Sequence, residues 1–201
     1  MTDKPKFINN NGHKIILASG SPRRQELLKQ MGFDFEINLK SIPEIYPEDL
    51  KGSEIALYLA KLKASPFLKS LQANEIVITA DTVVWHQNRH LSKAADKEEA
   101  IAMLKSLSDC WHEVITAVCF SSLKQQKLVH EVTKVKFKKL SENEILHYVK
   151  NYQPFDKAGA YGIQEWLGLI GIEEIKGSYT NVVGLPTQSV YNCLSTLLTE
   201  E

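Results

Sequence analysis

Residues 17–24 read Leu-Ala-Ser-Gly-Ser-Pro-Arg-Arg, and this stretch limits what the chain can fold into more than any other. Ahead of it, Lys14-Ile15-Ile16-Leu17-Ala18 has the apolar, β-branched character of a short buried strand. Beyond it, Ser21 is a favoured N-cap, Pro22 suits the first helical position, and Leu27, Leu28 and Met31 recur at helical spacing until Gly32 ends the helix. Arginines in the first helical turn oppose the helix dipole, so Arg23 and Arg24 point to function. Free N–H groups and two guanidinium forks at one helix N-terminus outline a polyphosphate pocket.

The chain has 201 residues, enough for one large α/β domain or two closely packed lobes. Its 24 basic and 24 acidic residues cancel, which argues against a broad electrostatic grip on nucleic acid and for a small, locally charged ligand. Cys110, Cys119 and Cys193 are odd in number, widely spaced and set among apolar residues, as reduced thiols of a cytosolic core would be. Residues 1–13 are polar and lack an apolar signal core, so a flexible extension is expected ahead of a single domain over 14–201. No apolar run is long enough to span a bilayer. The expected setting is the cytoplasm, with neither membrane nor nucleic acid as partner.

Further along, residues 33–38 are expected as a second strand, and residues 40–51 as an acidic, Pro-containing loop carrying Glu44, Glu48 and Asp49. Ser53 is the expected cap of a helix running to about Lys69, with Ala56, Leu59, Ala60 and Lys63 on one face. The β-branched run over 75–80 is expected to stop at Asp81-Thr82 and to resume over 83–85 past an irregularity. Asp96 with Glu99, and Ser141 with Glu144, read as capping boxes of helices reaching Leu107 and Lys150. Residues 113–120 are strand-like, and Thr133, Val135 and Phe137 alternate with Lys134, Lys136 and Lys138 as on a half-buried strand whose lysines form the solvated face. Residues 158–175 are rich in Gly and apolar side chains. A last helix from about Pro186 carries Val190, Leu194, Leu197 and Leu198 at core-packing spacing.

Several chemistries are excluded. His112-Glu113-Val114-Ile115-Thr116 starts like a zinc-protease helix but has Thr where the second His must stand, and its β-branched content favours a strand. There is no P-loop signature, Gly168 and Gly171 make no dinucleotide fingerprint, and no GxSxG elbow presents a serine nucleophile. The six histidines, among them His86, His90 and His130, lack metal-ligand spacing and are expected mostly at the surface. What remains is Ser19, Ser21, Arg23, Arg24, Glu44, Lys63, Asp81, Lys93, Asp156, Lys157 and Gln164. A hydrolase of nucleoside triphosphates needs cations on the phosphates, hard oxygen ligands for a divalent metal and a base for water, and all three types occur here.

Four ordered blocks then make the chain recognisable: Leu17-Ala-Ser-Gly-Ser-Pro-Arg-Arg24, Ala80-Asp-Thr-Val-Val84, Asp156-Lys-Ala-Gly-Ala-Tyr-Gly-Ile-Gln164 and Gly177-Ser-Tyr-Thr-Asn-Val-Val-Gly-Leu-Pro186. Over residues 14 to about 196 it resembles the Maf family of nucleoside triphosphate pyrophosphatases. The resemblance implies an inosine-triphosphatase-like α/β fold, a mixed twisted sheet with flanking helices and two lobes around a nucleotide cleft. It implies hydrolysis to a nucleoside monophosphate and pyrophosphate with Asp81 as base. Ser19, Ser21, Arg23 and Arg24 match phosphate-binding positions, Lys63 and Lys93 match family lysines, and Lys157 joins the phosphate-binding set. Glu44 matches an acidic residue that shares a divalent metal, Mg²⁺ or Mn²⁺, with Asp81.

Base preference in that family is attributed to three positions, which fall here on Arg23, Thr82 and Gln164 and resemble the dTTP/UTP branch. A Gln amide offers both donor and acceptor to the N3–H and carbonyl edge of thymine or uracil. A branch acting on methylated GTP ranks second among substrates. A non-catalytic nucleotide-binding regulator of septum formation is the competing class, and a homodimer is a further expectation of the family. The chain departs from the family pattern at Pro43-Glu44, Ser92-Lys93-Ala94 and Ser108-Asp109, which bears on loop geometry and on the number of metal ligands.

Overall fold

The computed structural model describes residues 10–200, so most of the expected N-terminal extension lies outside the described residues. From Asn10 onward the chain is tied down, with the Asn10 and Asn11 amides donating to the carbonyls of Asp34 and Leu198. Then follow β1 (Lys14–Leu17), α1 (Pro22–Gln30), β2 (Phe35–Ile37), α2 (Ser53–Leu68), β3 (Glu75–His86), β4 (Arg89–Leu91) and α3 (Lys97–Leu107). The second half adds β5 (Trp111–Ser121), β6 (Gln126–Phe137), α4 (Glu142–Tyr152), α5 (Trp166–Gly171), β7 (Ile172–Lys176), α6 (Tyr179–Val183) and α7 (Thr187–Glu200).

The helix starts differ in detail from what their residues suggest. Ser21 occupies the N-cap of α1 but makes no side-chain cap; its backbone N–H donates instead to Ser19 Oγ at 3.3 Å. Gly52, at φ 48°, caps α2, and Ser53 is already helical. Ser141 and Glu144 form a full capping box. Asp96 accepts from Glu99 N–H, but the Glu99 carboxylate reaches back one residue further, to the Ala95 N–H at 2.7 Å.

Seven strands form one mixed sheet in the order β2-β1-β3-β5-β6-β7, with β4 also on β3. β1 runs parallel to β2 and β3, and the remaining pairings are antiparallel. The expected break at Asp81-Thr82 does not occur: β3 pairs with β5 without interruption from Val77↔Ser121 to Trp85↔Glu113. Asp and Thr weaken strands when their side chains compete for local backbone groups. Here both find partners on other elements, and that competition disappears.

Alternation along β3 sorts its neighbours into two layers. Ile76, Ile78 and Ala80 pack with Leu28 of α1 and with Val190, Leu194, Leu197 and Leu198 of α7. Val83 and its β5 neighbours Ile115, Ala117 and Cys119 pack under Ile55, Ala56, Leu59 and Ala60 of α2. A further apolar cluster joins α3, α4 and α5 through Leu104, Leu107, Ile145, Tyr148 and Leu167. The lysines at 134, 136 and 138 do line the wetter face, each paired, with Glu113, Asp109 and Glu144.

The sheet leaves one opening. β5 covers one edge of β3, while the other edge carries β1 as far as Ile78 and β4 from Val84 onward. Residues 79–83 of that second edge face no strand, and they lie just past the carboxyl end of a parallel strand. In open α/β sheets that is where ligands bind.

Candidate active site

A cleft of about 620 Å³ opens along this uncovered edge. Ser21, Arg23, Arg24, Glu44, Lys63, Asp81, Thr82, Lys93, Lys157 and Gln164 all line it, although they come from widely separated parts of the chain. Ser19 stands behind the lining, 7% exposed, with its hydroxyl 3.5 Å from Arg24 Nη1.

Asp81 and Thr82 are consecutive, so β3 sends them to opposite faces. Asp81 points toward α2, where Lys63 Nζ donates to its Oδ1 at 2.6 Å. The same ammonium lies 3.0 Å from Glu44 Oε2 on the acidic loop. One cation thus bridges two carboxylates, and Asp81, only 6% exposed, has its charge compensated. The apolar stripe does not end at Lys63, since Ala64 and Phe67 continue it; Lys63 flanks the face that docks α2 on β3 and β5, and its side chain overhangs the cleft.

Thr82 points toward α1 and meets Arg24. The Arg24 fork donates from Nε to the Gly184 carbonyl (2.8 Å), from Nη1 to the Ala80 carbonyl (2.9 Å) and from Nη2 to Thr82 Oγ1 (2.9 Å). Arg24 therefore satisfies an edge carbonyl of β3 where a neighbouring strand is missing. Most of its N–H groups are spent inside the protein. Burial pulls its pKa below the usual arginine value, against the opposing pull of Asp81. The bonds continue inward: Thr116 Oγ1 donates to the Asn181 carbonyl at 2.9 Å, so Thr82 is the donor in its 2.9 Å bond to Thr116. Asn181, fully buried, then ties α6 to β5 and β6 through Thr116 N–H, the Val114 carbonyl and Thr133 Oγ1.

The opposite wall is the segment over 156–165. Arg23 Nη1 reaches across to Asp156 Oδ2 at 3.2 Å. Gly159 (φ 68°) and Ala160 (φ 56°) take left-handed conformations there, and a Cβ on Gly159 would fall 3.0 Å from a Val84 methyl, so the turn lies directly on β3. At the next turn a Cβ on Gly168 would fall 2.0 Å from the Ile163 carbonyl oxygen, which requires glycine where α5 backs the Gln164 loop.

Tyr46 and His90 also line the cleft and were not anticipated from their residue types. The Tyr46 hydroxyl bonds His90 Nδ1 at 2.9 Å and ties the Glu44 loop to the hairpin that leads to Lys93. Burial lowers the His90 pKa, with Asp81 acting against it. The signal available was position, two residues past Glu44 and three before Lys93. The surface placement of the histidines fails for His86 and His112, 6% and 3% exposed, and holds for His130. His112 sits behind the cleft wall, with Nε2 2.7 Å from the Tyr161 hydroxyl and its ring stacked on Phe137.

Comparison with known proteins gives the family. The family model described as Maf-like protein matches residues 14–197. A dTTP/UTP pyrophosphatase of Flavobacterium johnsoniae is 56% identical over 92% of this chain and 96% of its own. One of Bacteroides fragilis is 47% identical over 95% of this chain and the whole of its own length. A crystal structure of a nucleoside-triphosphatase (dITP/XTP pyrophosphatase) from Mycobacterium abscessus aligns over 92% of this chain and 97% of that one, at 16% identity and a TM-score of 0.41. The family match over nearly the whole described chain, with its blocks converging on one cleft, places this protein in the Maf-like family.

Proposed function

We propose that this cleft hydrolyses nucleoside triphosphates, dTTP and UTP above others, to the monophosphate and pyrophosphate. The observation that carries the reading is the single ammonium held between Asp81 and Glu44, beside the Arg23 and Lys93 cations, in a chain 56% identical to dTTP/UTP pyrophosphatases. Water attacks the α-phosphorus, its proton passes to Asp81, and the bond from phosphorus to the α–β bridging oxygen breaks. Lys63 holds Asp81 Oδ1, which leaves Oδ2 for the water. Lys93 pairs with no carboxylate among the described residues and is the cation most available to the departing pyrophosphate. Arg23 and Gln164 meet the base, and Thr82 acts on the cleft through Arg24.

The donor set suits a hard divalent cation. Two carboxylates converge on one positive charge, which Lys63 now supplies, although among the described residues no group of three or more His, Cys, Asp and Glu forms a cage. Mg²⁺ is commonly held by one or two carboxylates together with substrate phosphates. Bound at Asp81 and Glu44, such an ion would neutralise phosphate charge as it develops.

The test is product analysis on dTTP, UTP, CTP, GTP and 7-methyl-GTP with and without Mg²⁺. Monophosphate and pyrophosphate from dTTP and UTP are expected. Preference for 7-methyl-GTP would overturn the base assignment, and tight binding without turnover would favour a nucleotide-sensing regulator.

A further inference from the structure

Arg23 is joined to the segment that carries Gln164 by a row of alternating charges. Tyr148 on α4 donates to Glu165, and its hydroxyl also accepts from the Gly162 N–H at 3.0 Å. The other Glu165 oxygen pairs with Lys157 at 3.0 Å, Lys157 donates to Asp156 Oδ1 at 2.7 Å, and Asp156 Oδ2 takes Arg23 at 3.2 Å. The Lys157 side chain is only 9% exposed. Two carboxylates take this buried ammonium at once. Asp156, whose side chain is 60% exposed, in turn pairs on both sides, one oxygen for each cation.

We propose that Asp156 is a positioning residue for substrate selection: it orients the Arg23 guanidinium toward the base, and Lys157 is its buried anchor in place of a phosphate ligand. The inference rests on the nucleotide reading of the cleft. An unpinned arginine in the first turn of α1 would swing to the nearest phosphate of any nucleotide and select nothing. With Nη1 paired to Asp156, the planar fork is drawn toward the 156–165 wall that carries Gln164, and its remaining N–H groups are left for the ligand. Asp156 also offsets the Arg23 charge, so Arg23 contributes direction more than attraction. The backbone is built to keep this arrangement: the left-handed turn at 159 and 160 rests on Val84, and Lys93 bridges Ala158.

The test measures binding of non-hydrolysable dTTP and GTP analogues to wild type, Asp156→Asn, Arg23→Gln and the double variant, with pyrophosphate release from dTTP run alongside. Asp156→Asn is expected to weaken the dTTP analogue about tenfold and the GTP analogue less than twofold, with no further loss in the Arg23→Gln background. Lys157→Gln should reproduce the narrowed preference. Equal tightening of both analogues would mark Asp156 as a carboxylate that repels phosphate, and additive losses would show that it acts apart from Arg23; either overturns the proposal. An equal loss on both analogues with a lowered melting temperature would assign a structural role and overturn it too. A wild type that binds with base preference but does not turn over sinks the enzymatic reading alone, while turnover without the Asp156–Arg23 coupling sinks this inference alone. A wild type that binds neither analogue overturns both.

Discussion

Lys63 donates to Asp81 across 2.6 Å, and that bond joins the flank of the buried face of α2 to the middle of a strand that is continuously paired on its β5 edge and open on the other. Replacing Asp81 by Asn keeps the shape and a hydrogen-bonding oxygen but removes the proton acceptor. Asp81→Asn is expected to melt within a few degrees of wild type and to release pyrophosphate from dTTP at least about 100-fold more slowly. Steady-state turnover beside a thermal melt decides it: a variant keeping a tenth of the wild-type rate would place the base elsewhere.

Glu44 is about half exposed, so it shares Lys63 without holding up the fold. Glu44→Gln should therefore leave stability unchanged and raise the Mg²⁺ concentration for half-maximal turnover about tenfold. Tyr46→Phe, which cuts the tether between the Glu44 loop and His90, should shift the same curve in the same direction by a smaller factor. Metal titrations at saturating dTTP read both, and an unshifted Glu44→Gln curve would remove Glu44 from the metal site.

Signals carried by neighbouring residues were legible from the chain alone, and those set by distant partners were not. The Ser-Pro-Arg-Arg helix start, the Ser141–Glu144 box and the Ala56, Leu59 and Ala60 face of α2 are local patterns, and each forms where its residues indicate, although that face runs on past Lys63 to Ala64 and Phe67. The continuity of β3 through Asp81 and Thr82 depends on Lys63 and on Arg24, supplied from α2 and α1. The burial of His86 and His112 is set by partners remote in the chain, the Trp111 carbonyl for His86 and the Tyr161 hydroxyl for His112, just past the last β3–β5 pair, Trp85↔Glu113. Arg24 reads as a phosphate ligand from its position beside Arg23. Arg24 does line the cleft, and part of its fork is drawn inward by an edge carbonyl of β3 that no local pattern reveals.

The directed chain from Arg24 through Thr82 and Thr116 to the Asn181 carbonyl makes Thr82 important through its hydroxyl. Thr82→Val keeps the volume and leaves an Arg24 N–H and the Thr116 oxygen short of a partner. It should cost about 1–3 kcal/mol in urea unfolding, with Thr82→Ser restoring most of it. A Thr82→Val variant as stable as wild type would show that this chain of bonds adds nothing to the fold.

His112 gives the protein a specific sensitivity to acid. Burial, and then the charge of His86, depress its pKa from 6.5 to about 3, and Nδ1 has no hydrogen-bond partner. In the folded protein the ring therefore stays neutral down to about pH 3, while in the unfolded chain it takes a proton near 6.5. Between those values the unfolded state binds more protons, so stability is present above pH 6.5 and is lost progressively as pH falls toward 3. The loss attributable to this one group between pH 6.5 and pH 5 is about 1–2 kcal/mol. His112→Phe keeps the stack on Phe137 but strands the Tyr161 hydroxyl, so it should be less stable at pH 8 and lose correspondingly less on acidification. Unfolding free energies at pH 8, 6.5 and 5 compare the two slopes. Parallel slopes would mean that another group sets the acid limit.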